Sequence, residues 1–364
     1  MASQQVIPAK RTSPGRILVR EIEARGWTQK DLAEIMGRPA QAINEIVKGT
    51  KQITPETAIE LSAALGTSAQ FWTNLEANYR LHIAQKETAE KEISRKSKLY
   101  SITPVSEIIR RGWIQVSDSI EDLENNVCQF LDISSPDEPL KLAANLRCSL
   151  DQEPETNSRI AWAKRVENIA KTQKVSKFDH TKLKAAIPLI LAYSEREEDI
   201  AKIPDLLLSL GIHFIIVPHL NKTYLDGAAF YIGDNPIIAL TLRHDRIDWF
   251  WFTLMHELAH IVAKHDGVYL DNLDEGDINP QEQEANQKSR NWLLEPNAFN
   301  SFFKKTNPYF SKSVIAQFAA SQNRHIGIVI GRIHHETKDY TKMRSLLVKV
   351  SLFLKDWIDT PDRL

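Results

Sequence analysis

Along the first 85 positions apolar residues recur every three or four places, in short blocks opened by a proline or cut off by a glycine. The blocks read "SPGRILVREIEARGW", "TQKDLAEIMG", "RPAQAINEIVKGT", "TPETAIELSAALG" and "SAQFWTNLEANYRLHIA". That period predicts short amphipathic helices joined by tight turns. The following run, "QKETAEKEISRKSKLY", has charges of both signs and no apolar period, and predicts a solvated helical linker over 86–100. Helical spacing resumes over 101–200, as in Ile120 to Leu131, Ile160 to Thr172 and Leu183 to Tyr193, with no chemical motif. After Leu210 the texture changes. "GIHFIIVPHL" is rich in β-formers, and "GAAFYIGDNPIIALTLR" predicts two strands about a Gly-Asp-Asn-Pro turn. Residues 247–263 are strongly apolar and lack Gly and Pro, which predicts a buried helix; a second helix is expected from Pro280 to Pro296. The expected fold is α+β and mostly helical. It comprises an all-α domain over 1–85, a linker, a helical segment over 101–200, and a C-terminal domain over 201–364 with a small β-sheet.

Composition changes this picture little. A hydrophobic content of 42% and a charged content of 26% are ordinary for a globular chain, and a net charge of -1 gives no global argument for nucleic acid. Two cysteines, Cys128 and Cys148, are too few for a disulfide framework and fit a reducing compartment. The start, "MASQQVIPAKRTSP", lacks the apolar core of a signal peptide. The densest apolar stretch, Trp249 to Met255, falls short of the ~20 residues that span a bilayer. A cytoplasmic protein with no membrane partner is expected.

The run "TQKDLAEIMGRPAQAINEIVKG" has the layout of a helix-turn-helix. Thr28 is a natural N-cap, Leu32, Ala33 and Ile35 are expected to face inward, and Gly37 suits the turn. A second helix begins near Pro39 with Ile43 and Val47 toward the core, leaving Gln41, Asn44 and Lys48 outward around Ala40. Amide side chains near a helix N-terminus suit base edges in the major groove, because an amide pairs bidentately with adenine; Gln29 is placed for a phosphate. A helical interaction domain with a polar face is the competing reading.

The pieces "PGRILVREIEARGWTQKDLA", "INEIVKGTKQITPETAIELSAALGTS" and "QFWTNLEANYRL" resemble the Cro/repressor-type helix-turn-helix of HigA antitoxins. The resemblance implies a homodimer on palindromic double-stranded operator DNA, with a cognate toxin as a further partner. It also implies that Gln29, Arg38, Gln41, Asn44 and Lys48 face the DNA.

The chemistry of the C-terminal region centres on "FTLMHELAHIVAKH", residues 252–265. His-Glu-x-x-His arises by chance in about one protein of this size in fifty, so context decides. His256 and His260 are four apart and share a helix face, where both imidazoles can reach one ion. Glu257 flanks the pair, able to reach water beside a metal without being a ligand. A catalytic zinc keeps three protein ligands and an open position. Glu282 in "NPQEQEANQKSRNWLLEP" is the candidate third ligand, with Asn286 one turn on as a group to orient a histidine. Glu284 is the competing ligand, and a solvated Glu-Gln-Glu face is the bland reading. Tyr231, His244 and His265 are weighed as oxyanion partners against structural roles, while His325, His334 and His335 are expected at the surface. The strand Pro236 to Leu242 is a candidate edge for an extended substrate.

The run "GAAFYIGDNPIIALTLRHDRIDWFWFTLMHELAHI", followed by "EQEANQKSRNWLLEP", resembles the ImmA/IrrE metallopeptidases. The resemblance implies a zincin-like domain with Zn2+ held by His256, His260 and Glu282, and Glu257 as general base. Its implied substrates are helix-turn-helix repressors. Two departures bear on the substrate pocket: the interval from Ala285 to Pro296 is one residue longer than the family pattern, and Lys288 and Ser289 stand where Phe-Ala is common. The leading expectation is a regulator with a zinc-dependent endopeptidase domain that cleaves itself or a partner. The rivals are a non-catalytic antitoxin or repressor whose C-terminal domain only binds a toxin, metal or ligand, and a free-standing protease whose helix-turn-helix binds protein.

Overall fold

Helix caps and turn glycines written into the first 85 residues set the N-terminal architecture. The computed structural model of the chain describes residues 12–84, 89–139, 154–265, 269–271 and 280–360. Five helices come first: α1 (Pro14–Glu23), α2 (Gln29–Ile35), α3 (Ala40–Lys48), α4 (Pro55–Leu65) and α5 (Ala69–Ala84). Thr28 caps α2 in a capping box, its side chain accepting from the Asp31 backbone while Asp31 reaches back to the Thr28 backbone. Gly49 and Gly66 end α3 and α4 in the left-handed conformation. Leu18, Ile22, Leu32, Ile43, Ile46, Leu61 and Trp72 form the core. Gly15 lets α1 meet α3, because a Cβ there would fall 2.2 Å from the Val47 carbonyl oxygen. Ile35 departs from its expected inward position and is 51% exposed, since Leu32 and Ala33 already fill the narrow buried stripe of a two-turn helix.

The chain divides into two compact units, Met1–Arg95 and Lys96–Leu364. Of the run expected as a linker, residues 89–100 belong to α6 (Ala89–Ile102), within which the division falls; 86–88 lie outside the described residues. The second unit continues with α7 (Val105–Arg110), α8 (Ile120–Leu131), α9 (Pro154–Ala170), α10 (His180–Ala192) and α11 (Ile203–Ser209). Then come β1 (His213–Ile216), β2 (Gly227–Ile232), β3 (Asn235–Leu240), α12 (Ile247–Ala263), β4 (Tyr269–Asp271), α13 (Pro280–Leu293), α14 (Pro296–Thr306), α15 (Lys312–Ser321) and α16 (Ile326–Thr337). The sheet order is β1-β3-β2-β4, with β1 parallel to β3 and the remaining pairs antiparallel. Gly233, at φ 58°, opens the two-residue turn that pairs Ile232 with Asn235.

Both faces of this sheet are buried. Phe214, Ile216, Ala229, Ile238 and Leu240 pack on one side with α12 and the C-terminal helices. Ile215, Ala228, Phe230, Ile237 and Ala239 pack on the other against residues of α7, α8 and α9. The segment 101–200 is therefore part of this unit rather than a body of its own, because α7 to α9 supply the cover for one sheet face. Asp359 ties the chain's end to them, accepting from Arg165 at 2.7 and 2.9 Å and from the Trp113 indole at 3.0 Å. β3 is central, with β1 on one side and β2 on the other, so Pro236 to Leu242 offers no free edge to a substrate. Among the described residues no helix is long and apolar enough to cross a membrane. Cys128 is a buried free thiol, pushed up by burial; Cys148 lies outside the described residues.

Candidate metal centre and helix-turn-helix face

α12 is apolar almost all round because it is buried almost all round. Trp251, Leu254, Met255, Leu258 and Ile261 pack into the core, which leaves one strip for polar side chains, His256, Glu257 and His260, all buried. α13 brings Glu282 to the same place on a face that also buries Ala285, Ser289 and Leu293. The donor atoms form a tight triangle. His256 Nε2 lies 3.0 Å from Glu282 Oε2 and 3.0 Å from His260 Nε2, and His260 Nε2 lies 3.3 Å from Glu282 Oε2. Two donors each about 2.0–2.1 Å from one tetrahedral zinc ion stand about 3.3 Å apart, so the triangle has the size such an ion demands. Among the described residues these three form the sole cluster of potential metal ligands.

The protonation pattern around His260 also fits a ligand. For Nε2 to bind a metal, the neutral ring must carry its proton on Nδ1. That atom lies 3.0 Å from His265 Nδ1, which can accept it. The proton of His265 then sits on Nε2, 3.4 Å from the Glu284 carboxylate, which Lys288 grips at 2.6 Å. The turn that returns His265 beneath His260 depends on Lys264 in the left-handed conformation at φ 58°, with the His265 N–H donating to the His260 carbonyl at 3.1 Å. His265 is thus a support for His260. Glu284, the competing ligand, serves this outer chain and is absent from the triangle.

Burial would raise the Glu282 carboxyl, but hydrogen bonds from His256 and His260 and their charge outweigh it and hold the group down at about 2. Glu257 sits against the start of β2, where a Cβ on Gly227 would come within 2.4 Å of its Oε1. Glycine at that strand position is what admits the carboxylate.

The remaining candidates scatter. Asn286 is half-buried one turn beyond Glu282 and lines a cavity with Phe252 and Arg290. Tyr231 is 45% exposed on β2. His244 packs on the Trp249 ring at 4.5 Å. The surface expectation fails for one of the three histidines. His334 is buried and bonded to the Lys342 carbonyl at 2.7 Å, His325 caps α16, and half-buried His335 meets Arg290 at 3.2 Å. α16 packs tightly on α12 through Gly327 and Gly331, which draws its flanking side chains inward.

In the first unit, α2 and α3 form the helix-turn-helix about Gly37, at φ 61°. Asn44 is half-buried and Lys48 exposed on α3, while Gln41 is exposed and donates to Glu45 at 3.0 Å. Gln29 opens α2. Arg38 stands apart from this group, because its guanidinium forms a bidentate pair with Glu60 of α4. The Glu60 hydrogen bond raises its pKa further. The hidden partner lies 22 residues away, out of reach of motif reading.

The helix-turn-helix family matches residues 18–72. The uncharacterized HTH-type transcriptional regulator YddM of Escherichia coli is 30% identical over 78 residues, 21% of this chain and 83% of that protein. Antitoxin HigA-1 of Vibrio cholerae is 38% identical over 65 residues, 18% of this chain and 61% of that protein. A solved addiction module antidote protein of the HigA family from Coxiella burnetii is 30% identical, covering 22% of this chain and 90% of that one, with a TM-score of 0.22. These likenesses fall within the N-terminal region.

Proposed function

We propose, from the premise that this chain belongs through residues 18–72 to the helix-turn-helix family of transcriptional regulators, that it is an operator-binding regulator carrying a zinc-dependent endopeptidase. The DNA-reading module is a regulator-type helix-turn-helix. The peptidase, the homodimer on a palindromic operator, and cleavage of itself or a partner regulator are the proposal's further content.

The observation that carries the enzymatic half is the buried triangle of His256, His260 and Glu282 with Glu257 beside it. Two imidazoles and one carboxylate would hold zinc and leave one position open, the composition of known catalytic sites. Zinc in such a site supplies Lewis acidity to a carbonyl and lowers the pKa of water to about 7. Glu257 would serve as the general base, accepting a proton from water and returning it to the leaving amine. His265, Glu284 and Lys288 would hold His260 in the tautomer a ligand needs, and the apolar residues around α12 would keep bulk water from Glu257. A metal site with a purely structural task has no use for that carboxylate.

Two variants test this reading. Glu257→Gln should retain zinc and operator affinity while losing about 10²–10⁴-fold in cleavage of the regulated protein. His256→Ala should lose the metal as well, measured by elemental analysis of purified protein. Purified wild type that retains no zinc while binding DNA normally would refute the peptidase half. The resemblance of the N-terminal region to Antitoxin HigA-1 favours a second reading, an antitoxin whose C-terminal unit only binds a partner. It predicts that Glu257→Gln leaves every cellular phenotype intact.

A further inference from the structure

A groove of about 520 Å³, within the size range of small-molecule sites, lies where α10, the last turn of α12 and the end of α13 meet. Its α10 wall is a helical stripe, Lys184, Ile187, Pro188 and Leu191, at spacings of three and four. Val262 of α12 and Trp292 of α13 complete an apolar floor. His180 ties α10 to the end of α12, its Nε2 lying 3.0 Å from the Val262 carbonyl oxygen.

Arg324 also lines the groove, set there by the way α15 ends. Asn323 is left-handed at φ 52°; its N–H donates to the Ala320 carbonyl at 3.1 Å, and the Arg324 N–H donates to the Ala319 carbonyl at 3.0 Å. The turn lays the Arg324 guanidinium over the end of α13, where it donates to the Leu293 and Trp292 carbonyls at 2.9 and 3.1 Å. A third bond goes to the Asn323 carbonyl at 2.9 Å. Of the five N–H groups of a guanidinium, one on each terminal nitrogen is left over. Charge in the groove is of one sign. Among the described residues no Asp or Glu lines it, and neither Lys184 nor Arg324 forms an ion pair. Burial works against the Arg324 charge, and Glu195 offsets it only through space. Two cations without a carboxylate thus stand beside an apolar floor.

We infer that this groove binds a small carboxylate with an apolar body, the carboxylate held by Lys184 and Arg324 and the body laid on Ile187, Leu191 and Trp292. None of His256, His260 and Glu282 lines the groove, so the inference stands apart from the zinc reading. A carboxylate accepts charge-assisted hydrogen bonds from both cations, and such bonds are about twice as strong as neutral ones. The apolar body takes the floor out of water, which a bare anion cannot do. The isosteric amide fills the same space but brings no charge to the cations.

The test uses the full-length protein and three probes titrated by calorimetry: phenylbutyrate, its neutral amide, and acetate. Phenylbutyrate should bind about tenfold or more tighter than the amide, which lacks the charge, and than acetate, which lacks the body. The ratio of acid to amide should fall to about threefold or less in Lys184→Gln and in Arg324→Gln. Lys184 is exposed and its side chain makes no bond among the described residues, whereas Arg324 also caps α13, so Lys184→Gln decides. A ratio unchanged in Lys184→Gln overturns the inference whatever Arg324→Gln does, since the carboxylate is then recognised elsewhere, the metal triangle included. Equal affinity for acid and amide, equal affinity for phenylbutyrate and acetate, or no binding of phenylbutyrate overturns it as well.

Discussion

The helix-turn-helix and the histidine helix both set polar side chains on a helix, yet they do so on opposite terms. Gln41, Asn44 and Lys48 stand on the outer side of α3, with Ala42, Ile43 and Ile46 buried behind them. Each is positioned by its own helix and needs nothing from the rest of the chain. His256, Glu257 and His260 are buried, and the third corner of their triangle comes from Glu282 on another helix. Surface readers are specified by local sequence; a buried polar site is specified only where several elements converge, since an uncompensated polar group there would be costly.

Four variants would break or sharpen that contrast. The largest effect is expected from Glu282→Gln, which removes the third corner of the triangle and, on the zinc reading, should abolish zinc retention in dialysed protein. In metal-free protein the same variant has a pH signature. The Glu282 carboxyl is held below its ordinary value, at about 2, so its contribution to stability is present above the ordinary value of 4.5 and is lost as pH falls through about 2. The stability gap between wild type and Glu282→Gln should therefore be full at pH 6 and shrink in acid, as read by urea unfolding. A gap that is constant with pH would mean the carboxylate is not held by its histidines.

His265→Leu is expected to be the next largest. Loss of the group that fixes the His260 tautomer should weaken zinc by about 10–100-fold in chelator competition, with the fold intact by circular dichroism. Unchanged affinity would make His265 a bystander. On the surface side, Asn44→Ala should cost about 1–3 kcal/mol at a single operator position, whereas Lys48→Ala should weaken all sequences alike and reduce the salt slope by about one. If Asn44→Ala weakens every sequence equally, α3 does not read bases.

Much of the local structure was legible in the chain. The span 247–263 without Gly or Pro forms α12 over the same residues, and Thr28, Gly37, Gly49 and Gly66 mark real caps and turns. What escaped sequence reading were long-range partners. Arg38 reads as a free cation until Glu60 of α4 is placed against it. His334 reads as a surface residue until Gly327 and Gly331 seat α16 on α12. His265 reads as an oxyanion partner or a structural residue until the left-handed Lys264 cap brings it under His260.

The sequence by itself determined which helices form, where they stop, and which residues have the chemistry of metal ligands and base readers. These depend on caps, turns and a 3.6-residue period, all local properties. The tertiary structure alone decided that β3 lies inside the sheet, that α7 to α9 cover the sheet's second face, and that Glu282 rather than Glu284 meets the two histidines. The reason is physical. Burial of a sheet face or of a charge is settled by what packs against it, and those partners lie tens of residues away along the chain.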